Sequence, residues 1–235
     1  MESYTDFFKR IEIMESTKLK RPKHKGSPKL FDNPILEKLT HTHISIPLII
    51  FGLIATALIY YGIVEKGFEV PGIIGLFVAG LFFFTFIEYV MHRYLYHIPA
   101  TTPRKQKISY TMHGVHHDYP KDKSRLAMPP VLSLIIATVL FIIYRAVLGD
   151  YVFGFLAGFL IGYAAYLAVH YSVHAFKVPN NFLKTLWHHH SIHHYREPDR
   201  AFGVSSPLWD HIFRTMPRKS PKSERAQVGT SIDPS

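Results

Sequence analysis

The chain has no cysteine among its 235 residues, which excludes disulfide bridges and every thiolate metal site. It is also poor in charge. Asp, Glu, Lys and Arg make up only 19% of it, low for a soluble protein of this size. The opening carries no cleavable signal peptide: the first 43 residues are polar and basic, and the first apolar run begins at Ile44. Acids are the scarcer sign, 17 against 27 Lys and Arg. A basic balance suits nucleic acid, anionic lipid or a membrane protein with basic loops, and the placement of the charges decides among them.

Against these deficits stand four long apolar runs, near residues 44–64, 71–91, 127–146 and 151–170. About 20 apolar residues carry a helix across a hydrocarbon core, so the runs predict an all-α integral membrane protein with four transmembrane helices. Buried helices of a soluble bundle would keep a polar stripe, which these runs lack. The third is the shortest and starts at Pro129-Pro130, as a tilted or incomplete span would. The links 65–70 and 145–150 are short, so each pair reads as a helical hairpin. Of the 27 basic residues, 25 fall in 1–43, 92–126 and 170–235, leaving Lys66 and Arg145 for the links. The positive-inside rule then puts those three segments, and both termini, in the cytoplasm. Topology accounts for the charge, and no nucleic-acid partner is needed. Gly154, Gly158 and Gly162 recur at a spacing that lets another helix approach closely in lipid. Asn33-Pro34 before Ile35, Leu36 and Leu39 can open a short interfacial helix within the cytosolic segment 1–43. The polar stretch 217–235 reads as a disordered tail after a domain covering 44–216.

Sixteen histidines are the second surplus, and most are clustered. His92 and His97 form H-x4-H after the second run. His113, His116 and His117 form H-x2-HH in the central loop. His170 and His174 form H-x3-H at the end of the fourth run. His190, His193 and His194 repeat H-x2-HH, with His188 and His189 able to substitute in register. On a helix, residues three and four apart share a face. The wider His92–His97 spacing fits a helix that bends at the membrane surface, or ligands reaching different metals. Runs two and four end on the same side, so the topology gathers ten imidazoles in one region. One metal accepts four to six ligands, so ten imply two. His24, His41, His43 and His211 lie outside the pattern. Glu88 precedes His92 by one helical turn and is placed to accept its free imidazole N–H. Asp118, Asp122 and Arg125 are placed to cap or tether the central loop.

All-imidazole sites suit iron, zinc, copper or nickel. A polar site at the edge of lipid implies a function, and the substrates available there are long apolar chains. Breaking an unactivated C–H bond needs dioxygen and a redox metal, and zinc has no redox chemistry. Two iron ions fit the task, with zinc a stand-in in purified protein. Three functions remain open: an acyl hydroxylase, a sterol or carotenoid hydroxylase or desaturase, and a membrane metal-binding protein without catalysis.

The segments 88–97 (EYVMHRYLYH), 113–130 (HGVHHDYPKDKSRLAMPP), 170–174 and 190–213 (HSIHHYREPDRAFGVSSPLWDHIF) resemble the fatty acid hydroxylase superfamily. Within it they are most similar to the fatty acid 2-hydroxylases of sphingolipid metabolism. The likeness covers roughly residues 80–216. It implies a four-helix membrane base under a cytosolic helical cap, with the ten boxed histidines holding a non-haem dimetal centre. It also implies that dioxygen and two electrons place a hydroxyl on carbon 2 of a long acyl chain, free or in ceramide. Tyr166 then belongs, with Glu88, to the surroundings of the ligands. The implied partners are a long-chain acyl lipid, membrane lipids and a separate electron donor, a b-type cytochrome or a ferredoxin with its reductase. The 43 N-terminal residues are too few for the cytochrome domain that some relatives carry. The implied location is the endoplasmic reticulum in a eukaryote and the inner membrane in a bacterium. Where relatives read Tyr-Asp-x-Thr-His, this chain reads Tyr166-Leu167-Ala168-Val169-His170, an apolar residue in place of the acid.

Overall fold

The computed structural model describes Lys23 and residues 26–99 and 101–218. The tail expected over 217–235 lies outside the described residues from 219 onward. The described residues are helical and contain no strand. Pro34–Leu39 forms α1, Ser45–Val64 α2 and Val70–Val90 α3, which continues as a π-helix over Met91–Tyr96. Pro103–Ser109 is α4, followed by a second π-helix at Tyr110–Gly114 and by α5, Val115–Asp118. Pro130–Leu148 is α6, Val152–Ala175 α7, Lys184–Tyr195 α8 and Leu208–Ile212 α9.

The helix starts follow local chemistry. The Asn33 side chain accepts from the N–H groups of Ile35 and Leu36, and Pro34 fills the first position, so α1 forms where expected. The third run starts as a helix only at Pro130, because a proline inside a helix removes a hydrogen bond and clashes with the preceding turn. The fourth run extends to Ala175, so both His170 and His174 ride on α7.

Three segments are long and apolar enough to cross a membrane: Ser45–Val64, Val70–Tyr96 and Lys123–Ala175. The last, 53 residues long, is broken at Gly149, whose φ of 58° turns the chain. There α6 folds back on α7, and Tyr144 meets Phe155 and Phe159 with ring centroids 5.3 and 5.8 Å apart. Large apolar side chains face outward along these helices, among them Leu53, Val78, Phe82, Ile142 and Val147. An apolar surface so extensive marks contact with lipid or another protein.

The central helix is α7, buried along most of its length between α2 and α3. Its glycine repeat makes the close approach expected of it. A Cβ on Gly158 would lie 1.8 Å from the carbonyl oxygen of Phe77 on α3, and one on Gly80 of α3 would lie 1.8 Å from that of Phe155. The two backbones touch because neither residue has a side chain.

At the ends of the spans away from the histidines, Asp150 pairs with Lys66 at 3.4 Å and Arg145 at 2.7 Å. Both cations of the short links are thus matched by one acid. At the other end, the segment before α2 is strapped to the central loop. Glu37 accepts from the N–H groups of Leu30 and Phe31 and pairs with Arg125. Thr42 N–H donates to the Ser124 carbonyl at 2.7 Å, and Asp122 caps the turn that holds Arg125.

Candidate metal centre

The first box owes its shape to the π-helix that ends α3. Its hydrogen bonds run from i to i+5, so residues five apart fall in register. His92 and His97 are therefore brought together, with ring centroids 5.2 Å apart. They face one group and do not reach two metals. The second box starts in the other π-helix and finishes on α5, the third closes α7, and the fourth lies on α8.

The ten histidines divide into two groups of five. His92, His97, His113, His117 and His193 form the first; His116, His170, His174, His190 and His194 form the second. Within each group one nitrogen per ring lies within 4.8 Å of all the others. The pairs four apart, His113–His117, His170–His174 and His190–His194, each stay in one group. The residue three along crosses over: His116 leaves the second box for the second group, and His193 leaves the fourth box for the first. The expectation that each triplet points at one place is corrected accordingly.

The ring contacts suit a shared cation. His92 Nε2 lies 3.0 Å from His113 Nε2, and His97 Nε2 lies 3.1 Å from His193 Nε2. His190 Nε2 lies 2.8 Å from His174 Nε2 and 3.0 Å from His194 Nε2. One proton cannot satisfy three converging lone pairs. His92 and His193 each point Nδ1 at a carbonyl, Phe202 O at 2.5 Å and Arg200 O at 2.7 Å. A carbonyl only accepts, so the proton sits on Nδ1 and Nε2 is bare. His117 Nε2 is buried with no hydrogen-bond partner among the described residues. Burial, reinforced by neighbouring imidazoles, holds His113, His116, His117, His190, His193 and His194 well below the usual histidine range. Burial takes His97 down to about 4. The rings are neutral, which is the form that binds metals. Each group fits a metal ion held about 2.0–2.1 Å from its nitrogens.

A loop between α8 and α9 supports the first group. Phe202 and Gly203 donate their N–H groups to Asp210, at 3.0 and 2.8 Å. Asp210 also accepts from Thr215 Oγ1 at 2.7 Å and His189 Nε2 at 2.9 Å, and it is fully buried. Burial pushes its carboxyl up, but the hydrogen bonds from His189, Thr215 and Gly203 prevail and hold it below the usual range. Glu88 accepts from the N–H groups of Val204 and Ser205, at 2.7 and 2.9 Å, and from the Ser205 hydroxyl. The expectation that Glu88 accepts the His92 N–H is thereby corrected. The Phe202 carbonyl takes that proton, and Glu88 instead fastens the loop that carries the carbonyl. In the second group the Nδ1 atoms of His170, His190 and His194 are buried without a partner among the described residues.

Other sequence expectations find their places. Tyr166 stacks on the His170 ring at 5.5 Å. His189 bonds to Asp210, which fixes the register of the fourth box at His190, His193 and His194. His41 and His43 bond to Ser124 and Ser45, away from the centre, and His24 lies outside the described residues. The Asp118 carbonyl accepts from Lys23 N–H at 2.7 Å. Asp210 and the carbonyls of Arg200 and Phe202 were missed. A carbonyl leaves no mark in a sequence, whereas Asp210 sits inside the family-like run 190–213.

Two neighbouring cavities share walls, and one of them reaches the centre. One, of about 310 Å³, reaches His113, His116 and His170 and is lined by Leu167 and Arg125. The other, of about 280 Å³ and almost wholly apolar, extends among α3, α6 and α7. Tyr96, Met128, Tyr163 and Tyr166 wall both.

The fatty acid hydroxylase family model matches residues 77–215. A ceramide very long chain fatty acid hydroxylase of Schizosaccharomyces pombe is 38% identical over 205 residues, covering 83% of this chain and 57% of that protein. A dihydroceramide fatty acyl 2-hydroxylase of Arabidopsis thaliana is 32% identical over 172 residues, covering 69% of each. A fatty acid 2-hydroxylase of Mus musculus is 39% identical over 148 residues, 61% of this chain and 40% of that one. The chain thus spans about half the length of the first and last of these. Among solved structures, full-length scs7p with only its hydroxylase domain visible superposes with a TM-score of 0.77 at 29% identity, covering 93% of this chain and 91% of that one. With a match over more than half its length, spanning all four histidine boxes, the chain belongs to the fatty acid hydroxylase family.

Proposed function

We propose that the chain is a membrane-bound hydroxylase that uses dioxygen and two metal ions to hydroxylate a long fatty acyl chain at carbon 2, free or within a sphingolipid. The observation that carries this is a cavity that reaches His113, His116 and His170 and shares Tyr96, Met128, Tyr163 and Tyr166 with a second, apolar cavity. A metal carrier has no use for such a cavity. The printed activities of the relatives, on ceramide or fatty acyl chains, agree with it.

When bound, two iron ions would supply the redox chemistry that oxygen activation requires. The protein's own part is holding and orienting. His92, His97, His113, His117 and His193 hold one ion and His116, His170, His174, His190 and His194 the other. Arg200 O and Phe202 O fix the tautomers of His193 and His92. Tyr96, Tyr163 and Tyr166 wall the route from the centre into the apolar cavity, so the acyl tail excludes water while carbon 2 stays near the histidines. One oxygen atom enters the C–H bond. The other leaves as water, with two protons and two electrons from a separate donor, a b-type cytochrome or a ferredoxin with its reductase.

The membrane arrangement belongs to the same proposal. α2, α3, α6 and α7 cross the bilayer, and the histidine-bearing segments form a cap on the cytoplasmic side with both termini. A domain over 44–216 carries the function. The host membrane is the endoplasmic reticulum or a bacterial inner membrane. The pairing of Lys66 and Arg145 with Asp150 supports this orientation, because it leaves the unmatched basic residues at the histidine end.

Expression in a host without 2-hydroxy lipids, followed by mass spectrometry of the acyl chains, tests the reaction. Total absence of 2-hydroxy acyl products from protein loaded with iron and supplied with electrons would refute it. His116→Ala should abolish the product while membrane insertion persists.

A further inference from the structure

The apolar cavity reaches farthest from the histidines, along α6 and α7, at two aromatic side chains. Tyr144 and Phe159 line it, and behind them stand Phe83 and Phe155, which do not. Tyr144 meets Phe155 at 5.3 Å, Phe159 at 5.8 Å and Phe83 at 6.5 Å between ring centroids. Phe83 meets Phe155 at 5.7 Å and Phe159 at 6.3 Å. These four rings from α3, α6 and α7 plug the space between the helices. From this geometry, and resting on the acyl-hydroxylase reading, we infer that the plug is the floor of the acyl-tail site and that Tyr144 and Phe159 set the longest chain accepted.

The depth follows from the helix that carries both ends. Phe159 precedes His170 by eleven residues on α7, a rise of about 16 Å, which matches an extended tail of roughly a dozen carbons. With carbon 2 beside the histidines, the site suits saturated chains of about 14 to 16 carbons, and longer ones meet the rings. Leu140 and Leu160 complete the lower wall and Ala137 lies midway along α6. Among the described residues no charged side chain lines the cavity below Glu88, so none of them competes there with an alkyl tail.

Two substitutions move the floor in opposite directions. Tyr144→Ala removes a ring from it, and Ala137→Phe inserts one above it. The readout is the longest saturated free fatty acid, in a series of about 12 to 20 carbons, that raises the Tm of the detergent-purified, metal-loaded protein through binding. Tyr144→Ala is expected to extend that limit by about two to four carbons and Ala137→Phe to shorten it by a similar amount. Metal content should match the wild type. If one variant does not fold, the other still reads the floor. The same limit in a folded variant as in the wild type overturns the inference. Hydroxylated products separate the two readings. An unmoved limit with hydroxylation intact removes the floor alone. A shifted limit without any hydroxylated product removes the proposed reaction and leaves the tail site standing.

Discussion

Replacing Asp210 by asparagine should strip one metal ion from the centre and leave the other. The carboxylate accepts four hydrogen bonds, two on each oxygen: Gly203 N–H and His189 on one, Phe202 N–H and Thr215 on the other. An asparagine must turn its NH2 toward one of these pairs. His189 can change tautomer and Thr215 can rotate, but an amide N–H cannot become an acceptor. Either orientation leaves one loop N–H buried and unpaired, a cost of about 1–3 kcal/mol. Losing the charge weakens the remaining bonds, so the total reaches about 2–4 kcal/mol. The damage falls on the loop whose carbonyls orient His92 and His193, both in the first group. Loss of such a supporting contact typically weakens metal binding about 10- to 100-fold. Among the described residues, the rings of the second group make no bond to that loop, and the Nδ1 atoms of His170, His190 and His194 have no partner. Chelator titration of the purified variant, with metal per chain measured by elemental mass spectrometry, should show one ion lost at a concentration where the wild type keeps two. Loss of both ions in parallel, or of neither, would refute the reasoning.

Glu88→Gln should act in the same direction, because it withdraws charge from the acceptor of Val204 and Ser205; metal retention measured the same way checks it. Gly158→Ala should lower the Tm by several degrees or prevent folding, since its Cβ would need α3 to retreat from a 1.8 Å contact. Gly75→Ala, with nothing within 4 Å of its Cβ, is the matched control. The strap at Glu37 should be insensitive to pH from neutrality to about 5. Hydrogen bonds from Phe31, above all, with Leu30 and Arg125 adding, lower its carboxyl to about 2 against an ordinary value of 4.5. A depressed value means that the stabilisation is complete above the ordinary value and vanishes as pH falls through the lowered one. Hydrogen exchange at Leu30 and Phe31 should accelerate, relative to intrinsic rates, only in that acid window.

Much of this was legible because apolar runs and histidine spacing are local patterns. The runs fixed α2, α3, α6 and α7 to within a few residues; the largest shift is the continuation of α7 to Ala175, and Pro130 accounts for the late start of α6. All ten boxed histidines converge, as a topology with the two box-bearing runs ending on one side requires. The division of the ten was not legible. Standard helical spacing predicts that His113, His116 and His117 act together, and whether His116 faces its neighbours or the other group depends on how α5 docks beside α7. The π-helix was likewise hidden, although the five-residue gap between His92 and His97 is its trace. Glu88 was singled out for its position one helical turn before His92, but its partner is a backbone segment more than a hundred residues away.

The crossing of His116 and His193 between the two groups bears on how the molecule is made. The N-terminal boxes supply four members of the first group and the C-terminal boxes four members of the second, and each half lends the other one imidazole. Neither pocket can be completed during synthesis until α8 has left the ribosome. Until then the early histidines would form only a partial, exchangeable trap. Metal loading would join positions as far apart as 92 and 193, so each ion would act as a long-range staple, and its removal should loosen α5 and α8 while α7 stays packed between α2 and α3.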